Sequence, residues 1–259
     1  MITVKFKDMT FKLPNGDQLF KRKMHKFVNE VPEAFSKVSF PDGGVFFEIG
    51  LCFGVTSITA LKTGRFRKAH GMEPNKLNCD LAALNKKLNN SDITIHPYAA
   101  SDASGVGHIA DVSMSNIGAH VVTHEPGQGD TVSLITIDEL LDKEKIDPKE
   151  ITFVWCDAQG SEGKLVKGAS KLLAQSVPWV IEVAPDLLSQ NDTTADDLVE
   201  SLKPHFQGVF DLKQKELNIR PIEELKDIHD YYLNLRKPVS PGVTKASHTN
   251  VLLYPHFCK

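Results

Sequence analysis

Apolar and polar positions fall into two regimes along the chain. From residue 45 onward, short and almost continuous apolar runs recur at Val45–Ile49, Ala69–Met72, Ile93–His96, Ile151–Cys156 and Trp179–Val183. Runs of this length, bounded by turn residues and without polar alternation, read as strands buried on both faces. Between them, Val55–Lys62, Lys76–Leu88 and Glu162–Leu173 read as helices, as does Ala195–Leu202 further on. Gly208–Leu212 and Val251–Tyr254 add two later strands. Strands alternating with helices predict an α/β fold, its mostly parallel sheet covered by helices on both faces.

The remaining stretches are less regular. At the start, ITVKF and MTFKL alternate in the strand manner, and Pro14-Asn15-Gly16-Asp17 is a turn signal. A helix is expected from Gln18 to Lys37, and Pro41-Asp42-Gly43-Gly44 breaks the chain before the first buried strand. After the third strand a long irregular section is expected to run to about Gly129, relieved by one short strand near Val106–Ala110. Thr131–Ile135 reads as extended and Asp138–Asp142 as a helical turn.

Length and composition narrow the class. A chain of 259 residues suffices for one sizeable core, so a single domain is expected. A formal charge of −3 gives no global field favouring nucleic acid or an anionic membrane, and neither partner is expected. The basic cluster Arg65, Arg67 and Lys68 follows a helix end and reads as a solvated cap. No apolar run reaches membrane-spanning length, and the charged N-terminus lacks the core of a signal peptide. Cys52, Cys79, Cys156 and Cys258 are far apart and show no metal-ligand spacing. Free thiols and a cytoplasmic location are the expectation.

In doubly covered parallel sheets, ligands bind beyond the carboxyl ends of the strands. The first strand ends in Glu48-Ile49-Gly50-Leu51-Cys52-Phe53-Gly54. This is not the three-glycine dinucleotide pattern, and a carboxylate here would repel a pyrophosphate. It would tolerate a cationic amino acid moiety, although a purely structural turn also explains the glycines. The second strand ends in Glu73-Pro74, 23 residues after Gly50, where an acid suits a pair of ribose hydroxyls or else the start of the next helix. After the third strand, small residues precede Ser101 and Asp102, which could face an adenine ring or form a loop turn. The fourth strand ends in Asp157 and the fifth carries Glu182. A carboxylate at the end of a buried strand is costly unless used. Together these acids describe a cleft for a polyhydroxylated, partly cationic ligand.

The segments VFFEIGLCFGVTS, GMEPNKLN, YAASDASG, LITIDELL, ITFVWCDAQGSEGKLVKGASKLL and WVIEVAP resemble the FkbM family of methyltransferases. The D-x-x-G-x-E segment followed by L-x-x-G-A-x-x-L-L is the most specific, and the likeness covers roughly residues 40–185 with a fainter match at 249–255. The resemblance implies a class I methyltransferase fold, Rossmann-like, with a seven-stranded sheet whose last strand is antiparallel. It implies S-adenosyl-L-methionine as cofactor. Residues 1–44 would then be an N-terminal extension, 45–185 the cofactor-binding core, and 186–259 a part that helps bind the acceptor.

By that resemblance Glu48, Gly50, Leu51 and Gly54 would belong to the loop under the methionine part of the cofactor. Glu73 with Pro74 would hold the ribose, and Ser101 with Asp102 would face the adenine. Asp157 and Glu182 would border the transferring methyl group. Two positions depart from the family pattern: Glu48 replaces Asp, and Leu51 replaces Ala, its bulk expected to tighten the loop.

Asp157 is the first candidate for a base or acceptor-orienting group, Glu182 the second, and His248 the histidine to test. Glu162 reads as a helix-start acid. His96, His108, His120 and His124 are further loop histidines. A divalent cation on Asp157 and another carboxylate stays open, but no compact ligand motif supports it. The acceptor would be a small molecule, glycan or peptide. O-methylation of a hydroxyl on a glycan or secondary metabolite is the first reading, and N-methylation of an amide or amine the second. A nicotinamide-dependent oxidoreductase and a non-catalytic binding domain are the competing classes.

Overall fold

The computed structural model describes residues 1–15, 17–113, 116–123, 129–235, 237–240, 243–245 and 247–256. β1 (Ile2–Phe6) and β2 (Met9–Leu13), both expected as strands, pair as an antiparallel hairpin, Ile2 opposite Leu13 and Phe6 opposite Met9. α1 (Gln18–Ser36) follows and buries Met24, Val28, Val31 and Phe35, one helical stripe. The ring of Phe35 anchors the end of this helix in an aromatic cluster, 5.4 Å from Phe40, 5.3 Å from Phe66 and 4.8 Å from Phe153.

The alternation of strands and helices then begins with β3 (Gly44–Ile49), α2 (Val55–Lys62), β4 (Phe66–Met72), α3 (Lys76–Leu88) and β5 (Ile93–His96). β6 (Ala99–Ala100), β7 (Gly105–Ser113), β8 (Asn116–Thr123) and β9 (Asp130–Ile135) form a separate four-stranded sheet, ordered β6-β9-β7-β8. The irregular section expected there is thus corrected to a hairpin packed on β9. Its apolar signal is weak because the pairing relies on small residues. A Cβ on Gly107 would lie 2.9 Å from Leu134, and among the described residues the buried cluster is Ala99, Ile109, Val132 and Leu134.

α4 (Ile137–Glu144), β10 (Ile151–Cys156), α5 (Glu162–Lys167), α6 (Ser170–Leu173) and β11 (Trp179–Val183) continue the alternation. The single helix expected over 162–173 is split in two. Gly168, at the break, packs so closely that a Cβ there would lie 2.4 Å from the backbone oxygen of Ser101. α7 (Pro185–Gln190), α8 (Ala195–Leu202), β12 (Phe206–Asp211), β13 (Arg220–Pro221), α9 (Leu225–Asn234), β14 (Lys237–Ser240), β15 (Val243–Lys245) and β16 (Thr249–Pro255) complete the fold. Of these, α7, β13, α9 and the β14–β15 pair were not apparent in the hydrophobic pattern.

The central sheet runs β13-β12-β16-β11-β10-β3-β4-β5. It holds the seven expected strands and adds a two-residue edge strand, β13. β3, β4, β5, β10 and β11 pair in parallel, while β16 is antiparallel to both β11 and β12. Alternate residues of β3 feed two cores: Val45, Phe47 and Ile49 one face, Phe46 the other. The winding reverses between β3 and β10, which opens a crevice at their carboxyl ends. Among the described residues, no helix is long and apolar enough to cross a membrane.

Candidate active site

The crevice holds a pocket whose empty space, open mouth included, is about 1090 Å³. Gly50, Glu73, Pro74, Asp157, Glu182 and His248 all line it. Glu48, Leu51, Gly54, Ser101 and Asp102 are not on its wall.

The glycine loop is dictated by its neighbours. The Gly50 and Leu51 N–H groups both donate to the Met72 carbonyl, at 3.1 and 2.9 Å. Gly50 has φ 88°, and a Cβ there would lie 1.9 Å from the Asp157 carbonyl oxygen. No other residue can stand so close to the end of β10. Gly54, at φ 78°, opens α2. Leu51 turns into the core opposite Gly71, where a Cβ would lie 2.6 Å from its Cδ1. The missing side chain of Gly71 houses the bulk of Leu51. Glu48 is also turned inward and accepts hydrogen bonds from the Ser57 N–H, at 3.0 Å, and the Ser57 hydroxyl. Burial pushes its pKa up to about 8.

Glu73 ties the loop to the end of β4. Its Oε2 accepts from the Cys52 N–H and its Oε1 from the Asn75 N–H, both at 2.8 Å. Burial pushes its pKa up to about 7 against these bonds. A carboxylate oxygen has two lone pairs, so each can accept a further bond from the pocket side. Tyr98, Ala99 and Ala100 continue the wall. Ser101 donates its hydroxyl to Asp102 at 3.1 Å, and Asp102 is exposed. Facing them, β8 contributes His120 and Val122, with His120 3.1 Å from the Asn75 amide.

At the other end, Gln159 joins two acids. Its amide nitrogen donates to Asp157 Oδ1 at 2.5 Å and to Glu182 Oε2 at 3.0 Å. Burial raises the pKa of both acids, and the Asp157 charge raises that of Glu182 further. The two acids share one amide donor in a desolvated site, where a charge on one disfavours a charge on the other. Gln159 adopts the left-handed region, at φ 53°. Glu162 is buried, accepts from the Ala158 N–H at 2.9 Å and is pushed by burial to about 8. It sits in the first turn of α5, off the pocket wall.

His248 is at the exposed rim. Packed chain around it, then Lys213, Lys26 and Lys23, hold its pKa below the usual histidine value. Beside it, α1 contributes Lys23, Lys26 and Phe27 to the wall. These residues carry no motif, and only their place one turn apart on a helix could have drawn attention to them. Gln159 and Ser161, also on the wall, lie within the DAQGSEG segment whose acids were singled out. His96 stacks on His70 behind the wall, and His108 is likewise off it. His124 and Cys258 lie outside the described residues. Among the described residues, no group of three or more His, Cys, Asp or Glu is arranged to hold a metal ion.

The strand order, the antiparallel β16 and the crevice at the reversal define an α/β protein of the class I methyltransferase fold. The Methyltransferase FkbM domain matches residues 48–211, more than half of the chain, and the protein belongs to that family. Among solved structures, it is similar to the methyltransferase FkbM from Methylobacillus flagellatus KT. That match has 13% identity and a TM-score of 0.45, covering 91% of this chain and 60% of the other. It is also similar to the Pyrococcus abyssi tRNA (uracil-54, C5)-methyltransferase in complex with S-adenosyl-L-homocysteine, at 14% identity and a TM-score of 0.49. There the match covers 98% of this chain and 44% of the other. The chain thus spans less than two thirds of the length of either. No protein of curated function matches it by sequence.

Proposed function

We propose that the protein transfers a methyl group from S-adenosylmethionine to a hydroxyl of a glycan or small metabolite. The observation that carries this reading is one pocket with Glu73 at one end and the Asp157–Gln159–Glu182 group at the other, joined by the Gly50 turn. The residues fit the cofactor. Glu73 offers acceptor lone pairs to two ribose hydroxyls. Ala99 and Ala100 give a small-residue wall for the adenine, and Ser101 and Asp102 follow them in the chain, off that wall. The Gly50–Gly54 loop passes under the methionine part, and Glu48 holds that loop from behind through Ser57.

When bound, the sulfonium supplies a methyl group already activated for transfer. The protein must align an acceptor oxygen and take one proton. Alignment is worth up to about 7–11 kcal/mol and a general base about 10²–10⁴-fold, so positioning is the larger contribution. Asp157 is the assigned base. Its raised pKa and its partnership with Glu182 give the proton a place to rest. Glu182 and His248 complete the acceptor side. Residues 45–185 thus form the cofactor half, and residues 1–44 and 186–259 supply acceptor contacts.

Calorimetry with S-adenosylhomocysteine and with NAD(H) tests the cofactor. Binding of the first and not the second is expected, and the reverse would replace methyl transfer with a redox role. Formation of S-adenosylhomocysteine over a panel of hydroxylated and amine acceptors then separates O- from N-methylation and from a non-catalytic domain.

A further inference from the structure

The small sheet reaches the pocket through its outermost strand. β8 stands at the edge of the order β6-β9-β7-β8, with β7 as its strand neighbour and α1 packed against it. An edge strand is held weakly by its own sheet and needs ties elsewhere. β8 nevertheless supplies two residues of the pocket wall, His120 and Val122. They join Glu73, Pro74, Ala99 and Ala100 at the end proposed for the cofactor.

The tie is made at Asn75, which opens α3. Its side-chain oxygen caps that helix, accepting from the Asn78 N–H at 3.0 Å, and its backbone N–H donates to Glu73 Oε1 at 2.8 Å. With the oxygen committed to the cap, the side chain has only N–H donors left to offer. His120 Nε2 lies 3.1 Å from that amide nitrogen. The contact is a hydrogen bond only when Nε2 is bare, so the imidazole is neutral and carries its proton on Nδ1. A proton on Nε2, in the other tautomer or in the cation, would set two donors against each other. Turning the amide over would cure that clash but uncap α3. The sequence of ties therefore runs from the edge strand through His120 and Asn75 to Glu73.

Charges of both signs surround this contact. Asp111 of β7 is in register with His120, Glu73 and Tyr98 line the same wall, and α1 brings Lys23 and Lys26. A pH profile alone would not single out His120 among them, and a variant must.

We propose that His120 is a positioning residue of the cofactor site: as a neutral imidazole accepting from Asn75, it fixes β8 beside Glu73 and holds Val122 in place with Ala99 and Ala100 around the ligand. The proposal rests on the methyl-transfer reading for the identity of that ligand, but the tie itself can be read in the free protein.

Calorimetry with S-adenosylhomocysteine at about pH 8 and about pH 5.5, on either side of the ordinary histidine range, tests the assignment. The wild-type protein should bind about tenfold more weakly at the lower pH, the loss of about one hydrogen bond. His120→Gln places a carbonyl that accepts from Asn75 at either pH. It should bind within about three-fold of wild type at the higher pH and lose clearly less on acidification, any remaining loss belonging to Glu73 and the other groups. His120→Ala should bind about tenfold more weakly already at the higher pH. Equal losses on acidification in wild type and His120→Gln, or full affinity in His120→Ala, overturn the proposal. In the free wild-type protein, long-range ¹H–¹⁵N spectra at the higher pH should show His120 protonated on Nδ1, and a proton on Nε2 overturns it as well. If that signature is present and S-adenosylhomocysteine binds at neither pH, the tie between His120 and Asn75 is upheld and the methyl-transfer reading falls, taking with it the role in a cofactor site.

Discussion

The two ends of the pocket are built differently. The end proposed for the cofactor is assembled from neighbours in sequence and in the sheet. Gly50 and Leu51 bond to Met72, Cys52 and Asn75 bond to Glu73, and Leu51 fills the space left by Gly71. The end proposed for the acceptor is assembled from remote pieces: α1 near the start, the Asp157–Ser161 turn in the middle, and His248, just before β16, late in the chain. A local construction is rigid and tolerates little change. A construction from distant parts can change its contacts without disturbing the sheet. The difference teaches where the protein is committed and where it can be specialised.

The comparison breaks most visibly at Gly50. Gly50→Val should abolish S-adenosylhomocysteine binding and also cost more than about 3 kcal/mol of stability, because its Cβ would overlap the Asp157 carbonyl. Urea denaturation reads the second effect. A stable variant that has lost only binding would show that the loop can move independently of β10.

Asp157→Asn should lower the rate of methyl transfer by about 10²–10⁴-fold while cofactor affinity changes only a few-fold. The loss should shrink at high pH as the acceptor hydroxyl ionises unaided. Full activity in this variant would pass the role of base to Glu182 or His248. At the cofactor end, Glu73→Ala should weaken S-adenosylhomocysteine binding by about 1.5–3 kcal/mol. It should also lower Tm, since Cys52 and Asn75 lose their acceptor. Unchanged affinity would detach Glu73 from the ribose.

Leu51 and Gly71 offer a finer probe of the same end. Gly71→Ala alone should cost about 1–3 kcal/mol by overpacking, and adding Leu51→Ala should return part of that loss. Strict additivity in a double-mutant cycle would show that the two do not share the space.

A separate effect is one of pH. Glu48 and Glu162 are pushed up to about 8, and Glu73 to about 7, by burial. The folded protein therefore holds protons that the unfolded chain releases above about pH 4.3, and stability falls as pH rises from there to 8. Burial pulls His70 down to about 4. That histidine acts in the opposite sense, with stability lost as pH falls from about 6.5 to 4. Above pH 6.5 only the carboxyls remain, so the urea midpoint should be lower at pH 8 than at 6.5. A rising midpoint would mean that these acids are ionised in the folded protein.

The same division explains what could be read without coordinates. The buried strands β3, β4, β5, β10 and β11 declared themselves because strands covered on both faces are apolar throughout. Gly50, Glu73, Asp157 and Glu182 followed, since ligands gather at strand ends. Lys23 and Lys26 did not, because a lysine on the outer face of an amphipathic helix looks the same whether it meets water or a pocket. Leu51 could be flagged as bulky, but its partner Gly71 lies on another strand. The β7–β8 hairpin was missed because polar pairs such as His108–Thr123 and Asp111–His120, and Gly105 and Gly107 facing β9, leave little hydrophobic rhythm. Gln159 sits beside a flagged acid, yet its bridge to Glu182 depends on a backbone turn that no spacing announces.

β16 pairs with β11 on one side and β12 on the other. Its residues leave the ribosome after both of those partners. A nascent chain that has emerged through β12 therefore presents two bare sheet edges, one of them the apolar run Trp179–Val183. Such edges invite pairing with other chains until β16 fills the gap between them. Until β16 inserts, Asn250 cannot reach Glu30, and the mouth of the pocket is unmade. The pocket is thus complete only once the sheet is closed.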